Sequence, residues 1–146
     1  MTIFSKTTGS IKNTTTTLIA VPDLSFSLVT GSLYAFNFNV IYQGDFQTQG
    51  MRLGLSVPAF KTFQAKTYIP STISSETVKQ LTSSLDYLQS PQVPVINRKY
   101  LATIEGVIEL SGSNGTLQVV FASELATGSF GITVNNNSVG ILETVI

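Results

Sequence analysis

The sequence predicts an all-β fold, an antiparallel β-sandwich of the jelly-roll type with one short helix in a crossover. Apolar and polar residues alternate with a period of two in several segments, which is the pattern of strands buried on one face. Turn-forming residues separate about eight such segments at regular spacing. The 146 residues are enough for one hydrophobic core but too few for two of ordinary size. We therefore expect one domain at residues 18–146, preceded by an extended N-terminal arm at residues 1–17.

The predicted arm lies outside the alternating pattern. It is polar, with the run NTTTT at residues 13–17, and it has two apolar anchors, Ile3 and Phe4. Terminal segments of this kind are usually disordered unless another part of the structure holds them. A neighbouring subunit is the simplest candidate for ordering this arm.

The first predicted strands of the domain alternate clearly. Leucine and phenylalanine alternate with serine over residues 24–28, and a Thr-Gly-Ser turn connects this strand to the next. The segment LYAFNFNVIY at residues 33–42 then places a largely aromatic stripe on one face. The stripe consists of Tyr34, Phe36, Phe38, Val40 and Tyr42. The turn-rich loop QGDFQTQG follows, and residues 51–57 alternate again until Pro58 ends the strand.

The middle of the chain has a different period. Four apolar residues follow one another at intervals of three, four and three, which is a helical pattern. They are Val78, Leu81, Leu85 and Leu88. Ser74 or Ser75 can cap the N-terminus, and Glu76 is favourably placed in the first turn. We therefore predict one short helix over residues 76–88, followed by a proline-containing linker, SPQVPVINRK.

The C-terminal third returns to the strand pattern. Residues 102–110 alternate, and the dipeptide Asn114-Gly115 after them is typical of a tight hairpin turn. We predict that a strand returns from this turn and that two short strands follow it. Their predicted ranges are 116–124, 130–134 and 139–145.

Composition argues against several classes of function. Only 11% of residues are charged, against about 25% in typical proteins, and eight basic residues balance eight acidic ones. Nucleic-acid binding through phosphate neutralisation is therefore not expected. No apolar run approaches the roughly 20 residues of a membrane span, and the N-terminus lacks the apolar core of a signal peptide. We expect no membrane partner and synthesis in the host cytoplasm, with an uncharged polar surface that suits packing against neighbouring subunits.

Catalytic chemistry is restricted because the chain has no cysteine and no histidine. A thiol nucleophile and a Ser-His-Asp triad cannot be built, and no metal-binding or phosphate-binding motif is recognisable. A glycosidase needs two facing carboxylates, which Glu105 and Glu124 could supply across the predicted hairpin. We favour exposed charges instead, or salt bridges to one of the basic residues Arg52, Arg98 and Lys99. We therefore predict that the protein is not an enzyme and has no catalytic residue, cofactor or metal.

The aromatic residues have two interpretations. Those of the stripe at residues 33–42 alternate with asparagine, so core packing is favoured over stacking on sugar rings. Aromatic residues in the predicted loops are candidates for exposed contacts with a sugar or a protein. These residues are Phe46, Phe60, Phe63 and Tyr68.

Three stretches of the chain resemble small β-sandwich virion proteins of tailed bacteriophages. They are DLSFSLVTGSLYAFNFNVIY, TQGMRLGLSVPA and YLATIEGVIELSGSNGTLQVVFASEL, and the resemblance covers roughly residues 22–58 and 100–145. In that family a strand ending in tyrosine precedes a threonine- or glutamine-rich loop, an R-L stretch, an I-E-G-V-I hairpin and an F-A-S-E strand end. These motifs are structural and have no catalytic content. The middle of the chain departs from the pattern.

The resemblance implies a virion component, and the size and polar arm are similar to those of head-decoration (cement) proteins on the capsid surface. Such proteins commonly form trimers and hold capsid subunits together, so the implied partners are the major capsid protein and further copies of this chain in a homotrimer. We expect contacts at the arm and at the loops 43–49 and 60–68. The predicted interface residues are Ile3, Phe4, Phe46, Phe60, Phe63 and Tyr68. A tail-fibre or receptor-binding domain and a carbohydrate-binding module remain the alternatives.

Overall fold

The computed structural model describes residues 1–146 and contains twelve β-strands and no α-helix. In chain order the strands are β1 (Thr2–Lys6), β2 (Ile11–Asn13), β3 (Ile19–Leu28), β4 (Leu33–Gly44), β5 (Met51–Ser56), β6 (Phe60–Pro70), β7 (Glu76–Leu81), β8 (Tyr87–Gln89), β9 (Tyr100–Leu110), β10 (Gly115–Ser123), β11 (Ile132–Val134) and β12 (Val139–Thr144). All strand pairings are antiparallel, and the all-β class predicted from the sequence is confirmed. The structure has no helix with the length and apolar character needed to span a membrane.

The strands form two sheets that pack face to face as a β-sandwich. The larger sheet has eight strands in the order β1-β12-β4-β9-β6-β7, with β11 paired to both β4 and β2. The smaller sheet has four strands in the order β3-β10-β5-β8. A cluster of 29 buried apolar side chains, drawn from both sheets, fills the space between them. Each sheet therefore buries one face, which is why alternation marks the strands in the sequence.

β4 lies in the middle of the larger sheet and carries the predicted stripe. It pairs with β9 along one side and with β12 and β11 along the other. All five stripe residues are buried: Tyr34, Phe36, Phe38, Val40 and Tyr42. The ring of Phe38 lies 5.5 Å, centroid to centroid, from that of Phe26 on β3 in the opposite sheet. The interpretation of the stripe as core is confirmed, because its rings join the two sheets.

The predicted helix at residues 76–88 is wrong, because this segment forms two strands. β7 pairs with β6 at the edge of the larger sheet, and β8 pairs with β5 in the smaller one. The four apolar residues do not share a face, since Leu81 and Leu88 are buried whereas Val78 and Leu85 are exposed. Leu85 has a left-handed φ of 63°, and its N–H donates to Leu55 O at 2.8 Å. The chain therefore turns between the sheets where a helix would have to continue.

The hairpin predicted at Asn114-Gly115 is also wrong. β9 belongs to the larger sheet and β10 to the smaller, so residues 111–114 cross between them. Asn114 does not have a left-handed φ, and its Oδ1 accepts a hydrogen bond from the N–H of Thr30 at 3.0 Å. The physical reason is that β10 pairs with β3 and β5, which places its apolar residues opposite those of β9 across the core.

Residues 1–17 contribute two strands to the larger sheet of the sandwich. β1 pairs with β12 at the edge of the larger sheet, and β2 pairs with β11. Between these strands, the buried Thr7 donates its hydroxyl to Asn135 O at 3.1 Å and accepts the N–H of Ser138 at 3.0 Å. Contacts within the chain thus order this segment, and a neighbouring subunit is not required for its order.

The loop predicted at residues 60–68 is wrong, because these residues form most of β6. β6 pairs with β9 on one side and with β7 on the other. Its inward positions are buried and alternate with outward polar ones. The inward residues are Phe63, Ala65, Thr67 and Ile69. Alternation along FKTFQAKTYI therefore marks a strand of the larger sheet, and Phe63 belongs to the core.

Candidate functional site

Two exposed phenylalanines lie side by side where loops meet at one end of the sandwich. Phe46 follows β4, and Phe130 lies just before β11. Their ring centroids are 5.4 Å apart, with an angle of 33° between the planes. The exposed fractions are 42% for Phe46 and 46% for Phe130. We call these two residues the aromatic pair, and they are the candidate site because aromatic groups exposed next to one another are typical of binding surfaces.

A buried amide holds the two loops of the aromatic pair together. Gln49 is 1% exposed, and its Nε2 lies within hydrogen-bonding distance of Ser123 Oγ, of Leu125 O at 2.6 Å and of Phe130 O at 3.3 Å. Its Oε1 accepts the hydroxyl proton of Thr127 at 2.8 Å. A single side chain from the β4–β5 loop thus satisfies several polar groups of the β10–β11 loop, so the loops are fixed relative to each other.

Asp45 adds a second connection beside Phe130. Its N–H donates to Gly131 O, and its Oδ2 accepts the N–H of Gly131, both at 3.2 Å. The same carboxylate forms an ion pair with Lys12 on β2. A Cβ at Gly131 would lie 2.5 Å from Asn13 O, so only glycine fits where this loop passes the end of β2. The aromatic pair therefore stands on a backbone that is fixed on both sides of Phe130.

Glu124 belongs to the same end of the molecule and has a structural role. Its N–H donates to Gly50 O and its Oε2 accepts the N–H of Gly50, each at 2.8 Å. It forms none of the three salt bridges in the structure, so the predicted bridge to an arginine is wrong. Arg52 instead lies over the ring of Tyr87, 5.0 Å from its centroid, and donates to Gln89 Oε1. Glu124 thus ends β10 by pairing with the start of β5.

The structure does not bring together the acids considered for catalysis. Glu105 lies on β9 in the larger sheet and Glu124 follows β10 in the smaller, because no β9–β10 hairpin exists. Glu105 accepts the hydroxyl of Tyr68 at 3.3 Å, and Glu109 forms an ion pair with Lys61 at 3.2 Å. No group of three or more acidic side chains is close enough to hold a metal ion. Glu105 and Glu109 therefore lie on the outer face of the larger sheet, one hydrogen-bonded to a tyrosine hydroxyl and the other in an ion pair.

The predicted interface residues are distributed over different parts of the molecule. Ile3 and Phe4 are exposed on β1, at 40% and 68%, and Phe46 is exposed in its loop. Phe60 is half-buried against the core, and Tyr68 is half-buried on the outer face of β6. Phe63 is 3% exposed and stacks on Phe36 with ring centroids 6.5 Å apart, so it is not available for contact.

Sequence reasoning missed Phe130 and Gln49. Phe130 was expected within a strand at residues 130–134, whereas β11 begins two residues later. Gln49 is one of many polar residues in a turn-rich loop, and its burial depends on the distant β10–β11 loop. The only sequence signal for this site is the position of Phe46 and Phe130 next to turn-forming residues.

Comparisons with known proteins give little further information. No protein-family model matches the chain, and no curated protein matches it significantly. Among solved structures, a chain from "Structure of infectious bursal disease virus Gx strain" is similar with a TM-score of 0.22 and 11% sequence identity. The similarity covers 97% of this chain and 40% of that chain, so this chain spans about two fifths of its length. At this TM-score the similarity supports no conclusion about fold or function.

Proposed function

We propose that the protein is a non-enzymatic virion structural protein, a head-decoration (cement) protein that binds the major capsid protein through the aromatic pair. The observation that carries this proposal is the rigid presentation of Phe46 and Phe130, whose loops are fixed by the buried Gln49. Aromatic anchors contribute most to binding when little conformational freedom is lost on association. A surface fixed before binding meets that condition.

The composition of the remaining surface supports attachment to a large protein assembly. Only 11% of the residues are charged, so most polar groups that a contact would cover are hydroxyls and amides. Covering such groups costs less than covering unpaired charges. Several copies acting together, in a homotrimer, would add their contact areas and stabilise the capsid by avidity. The jelly-roll-like arrangement belongs to the same proposal, since most successive strands alternate between the two sheets.

The proposal is tested by binding the purified protein to empty capsids that lack it. We expect saturable binding in a sedimentation assay, and loss of at least about 30-fold in affinity for the double variant Phe46→Ser/Phe130→Ser. The matched control is Val29→Ser, which removes a side chain that is 50% exposed before the start of β4. β4 separates the two sites by about 40 Å. Equal binding by the wild type and the double variant would reject the aromatic pair as the contact.

A second experiment tests whether Gln49 positions the aromatic pair. In Gln49→Glu a carboxylate replaces the amide that faces Leu125 O and Phe130 O, so two attractive contacts become repulsive. We expect weaker capsid binding with far-UV circular dichroism unchanged. Thr127→Val is the milder companion, because it removes only the bond to Gln49 Oε1. If the loops have no positioning role, both variants will bind capsids with the affinity of the wild type.

The same pair also supports a second function, a receptor-binding or carbohydrate-binding domain. Two exposed rings at 5.4 Å can stack on the faces of a sugar. This function predicts saturable binding to whole bacteria or to soluble glycans, which Phe46→Ser/Phe130→Ser removes, and no binding to empty capsids. The two assays, performed with the same variants, therefore separate the two functions.

A further inference from the structure

The outer edge of the larger sheet is open at β1. β1 pairs only with β12, so one side of its backbone has no partner strand. Met1 O accepts the N–H of Thr144, and the N–H of Thr7 donates to Ser138 O, which fixes the alternation of hydrogen bonds along the strand. In an antiparallel ladder every second residue directs its N–H and C=O to the same neighbour. The N–H and C=O groups of Thr2, Phe4 and Lys6 therefore point away from the sheet.

The other edge strands, β2, β3, β7 and β8, carry features that hinder pairing with another strand. β3 contains Pro22 and the left-handed Asp23, at φ 70°, next to a register shift. β2 and β8 are each only three residues long. On β7 the ammonium of Lys79 is held by Asp86 at 2.7 Å and by Tyr87 O. Prolines, irregular backbone, short length and charge are the usual protection of edges, and β1 lacks all but the terminal Lys6.

We propose that β1 pairs with β1 of a second copy of this chain, in antiparallel orientation about a two-fold axis at Phe4. Thr2 of each copy then lies opposite Lys6 of the other, and the outward N–H and C=O groups of the two strands form one ladder. The two larger sheets become one continuous sheet, with their outer faces on the same side. This contact between copies does not depend on the proposed virion function.

Side chains on the outer face are self-complementary in this register. Ile141 is the partner of Phe4 on β12. The central row of the joined sheet therefore reads Ile141 and Phe4 of one copy, followed by Phe4 and Ile141 of the second copy. Phe4 is 68% exposed in the single chain, and this row covers it. Aromatic and aliphatic neighbours across strands are among the stabilising pairs of β-sheets.

Charges on the two flanking rows are also complementary. Glu143 is the partner of Thr2, so it lies two strands, about 10 Å between backbones, from Lys6 of the second copy. The intervening Thr2 is small, and the extended side chains of Glu143 and Lys6 can meet over it. Neither residue forms a salt bridge within its own chain. The two-fold axis repeats the interaction, which gives two intermolecular ion pairs.

The test is the mass of the purified chain in solution, measured by sedimentation equilibrium. We expect the wild type to form a dimer, or a hexamer in which this contact joins two of the homotrimers proposed above. Phe4→Lys places two like charges at the axis and should halve that mass, with far-UV circular dichroism unchanged. The matched control is Val78→Lys, at an exposed position on the opposite edge strand, which should leave the mass unchanged. A monomeric wild type, or a Phe4→Lys variant with wild-type mass, would overturn the proposal.

A charge exchange provides the second readout, which does not depend on Phe4. Lys6→Glu places two acids near each other and should raise the dissociation constant about tenfold. Lys6→Glu/Glu143→Lys restores opposite charges across the contact and should return the constant to near the wild-type value. Failure of the double variant to restore association, while both proteins remain folded, would contradict the register proposed here.

Discussion

Asn13 shows how one buried polar side chain connects segments that share no strand pairing. Its Nδ2 donates to Thr17 O at 2.8 Å and to Phe121 O at 3.1 Å, and its Oδ1 accepts the N–H and the hydroxyl of Thr15. The β2–β3 turn is thereby held against β10 in the other sheet. Gln49 does the same for the loops of the aromatic pair. In a chain with few charges, amides and hydroxyls fix the loops because they can be buried with all partners satisfied.

Tyr42 should make the stability of the protein fall at alkaline pH. Burial raises the pKa of its hydroxyl above the ordinary value of 10.0, and the negative charge of an ionised Tyr100 raises it further. Below pH 10 both the folded and unfolded states keep the proton, so the stabilisation is complete. Above pH 10 the unfolded state releases it first, so the free energy of unfolding falls by up to about 1.4 kcal/mol per pH unit.

Comparison of the wild type with Tyr42→Phe isolates this contribution. At pH 8 the variant loses the hydrogen bond to Pro70 O, 3.1 Å long, and we expect about 1 kcal/mol less stability in urea unfolding. Between pH 10 and 11 its stability should decline less steeply than that of the wild type. Thr7→Val removes a buried hydroxyl that does not ionise in this pH range, so it should retain the wild-type slope. Parallel declines for the wild type and Tyr42→Phe would show that Tyr42 does not control alkaline unfolding.

At the scale of strands and loops, the sequence predicts a strand most reliably where one face is buried in the core and the other is exposed to solvent. β4 and β9 were predictable because their inward positions are mostly apolar and their asparagine, threonine and glutamate residues all lie at outward positions. β6 has the same alternation, but Thr67 takes an inward position and Tyr68 an outward one, so polarity alone obscures the pattern. Phe63 was consequently expected to be exposed. Its position on the inward side of β6 determines its burial.

The secondary structure of residues 76–88 could not be predicted from the spacing of apolar residues, because these residues lie in different environments. Leu81 is the last residue of β7 in the larger sheet, and Leu88 lies on β8 in the smaller sheet. Ser84 lies between them and does not form a hydrogen bond within a helix. Its Oγ accepts the N–H of Val57 at 2.9 Å. Tertiary pairing with β5 and β6 therefore outweighs the helical period. The aromatic pair was missed for a related reason, since it is assembled by loops about 80 residues apart in the chain.

Gly54 should be essential for attaching β8 to the smaller sheet. It lies on β5 opposite Tyr87, and a Cβ there would be 2.2 Å from Asp86 O. Gly54→Ala must push the backbone of β8 away, so we expect a loss of about 1–3 kcal/mol in chemical unfolding and faster amide exchange at Leu88. Gly112→Ala is the matched control, because a Cβ at Gly112 meets nothing within 4 Å, and it should change stability by less than about 0.5 kcal/mol. Equal stability of the two variants would contradict the close approach of β5 and β8.

On the scale of the whole molecule, the two ends of the chain are neighbours in the larger sheet. β1 pairs with β12, Thr144 donates its N–H to Met1 O at 3.0 Å, and Leu33 donates its N–H to Ile146 O at 3.1 Å. The sandwich is thus closed by a pairing between residues at opposite ends of the sequence. Such pairings are formed at a large cost in chain entropy, and they make folding slow compared with that of proteins rich in local contacts.

A circular permutant should therefore keep the fold. Joining Ile146 to Met1 through about four Gly or Ser residues converts the β12–β1 pairing into a hairpin, because the two strands are already antiparallel neighbours. The new ends belong between Gly112 and Ser113, in the exposed crossing from β9 to β10. This change replaces one covalent connection by another and removes no strand pairing, so we expect native circular dichroism and stability within about 2 kcal/mol of the wild type in urea unfolding. The control permutant opens between Val119 and Val120, which cuts β10 where it joins β3 to β5, and it should not fold. Unfolding of the first permutant would mean that the β9–β10 crossing is required to bring the two sheets together.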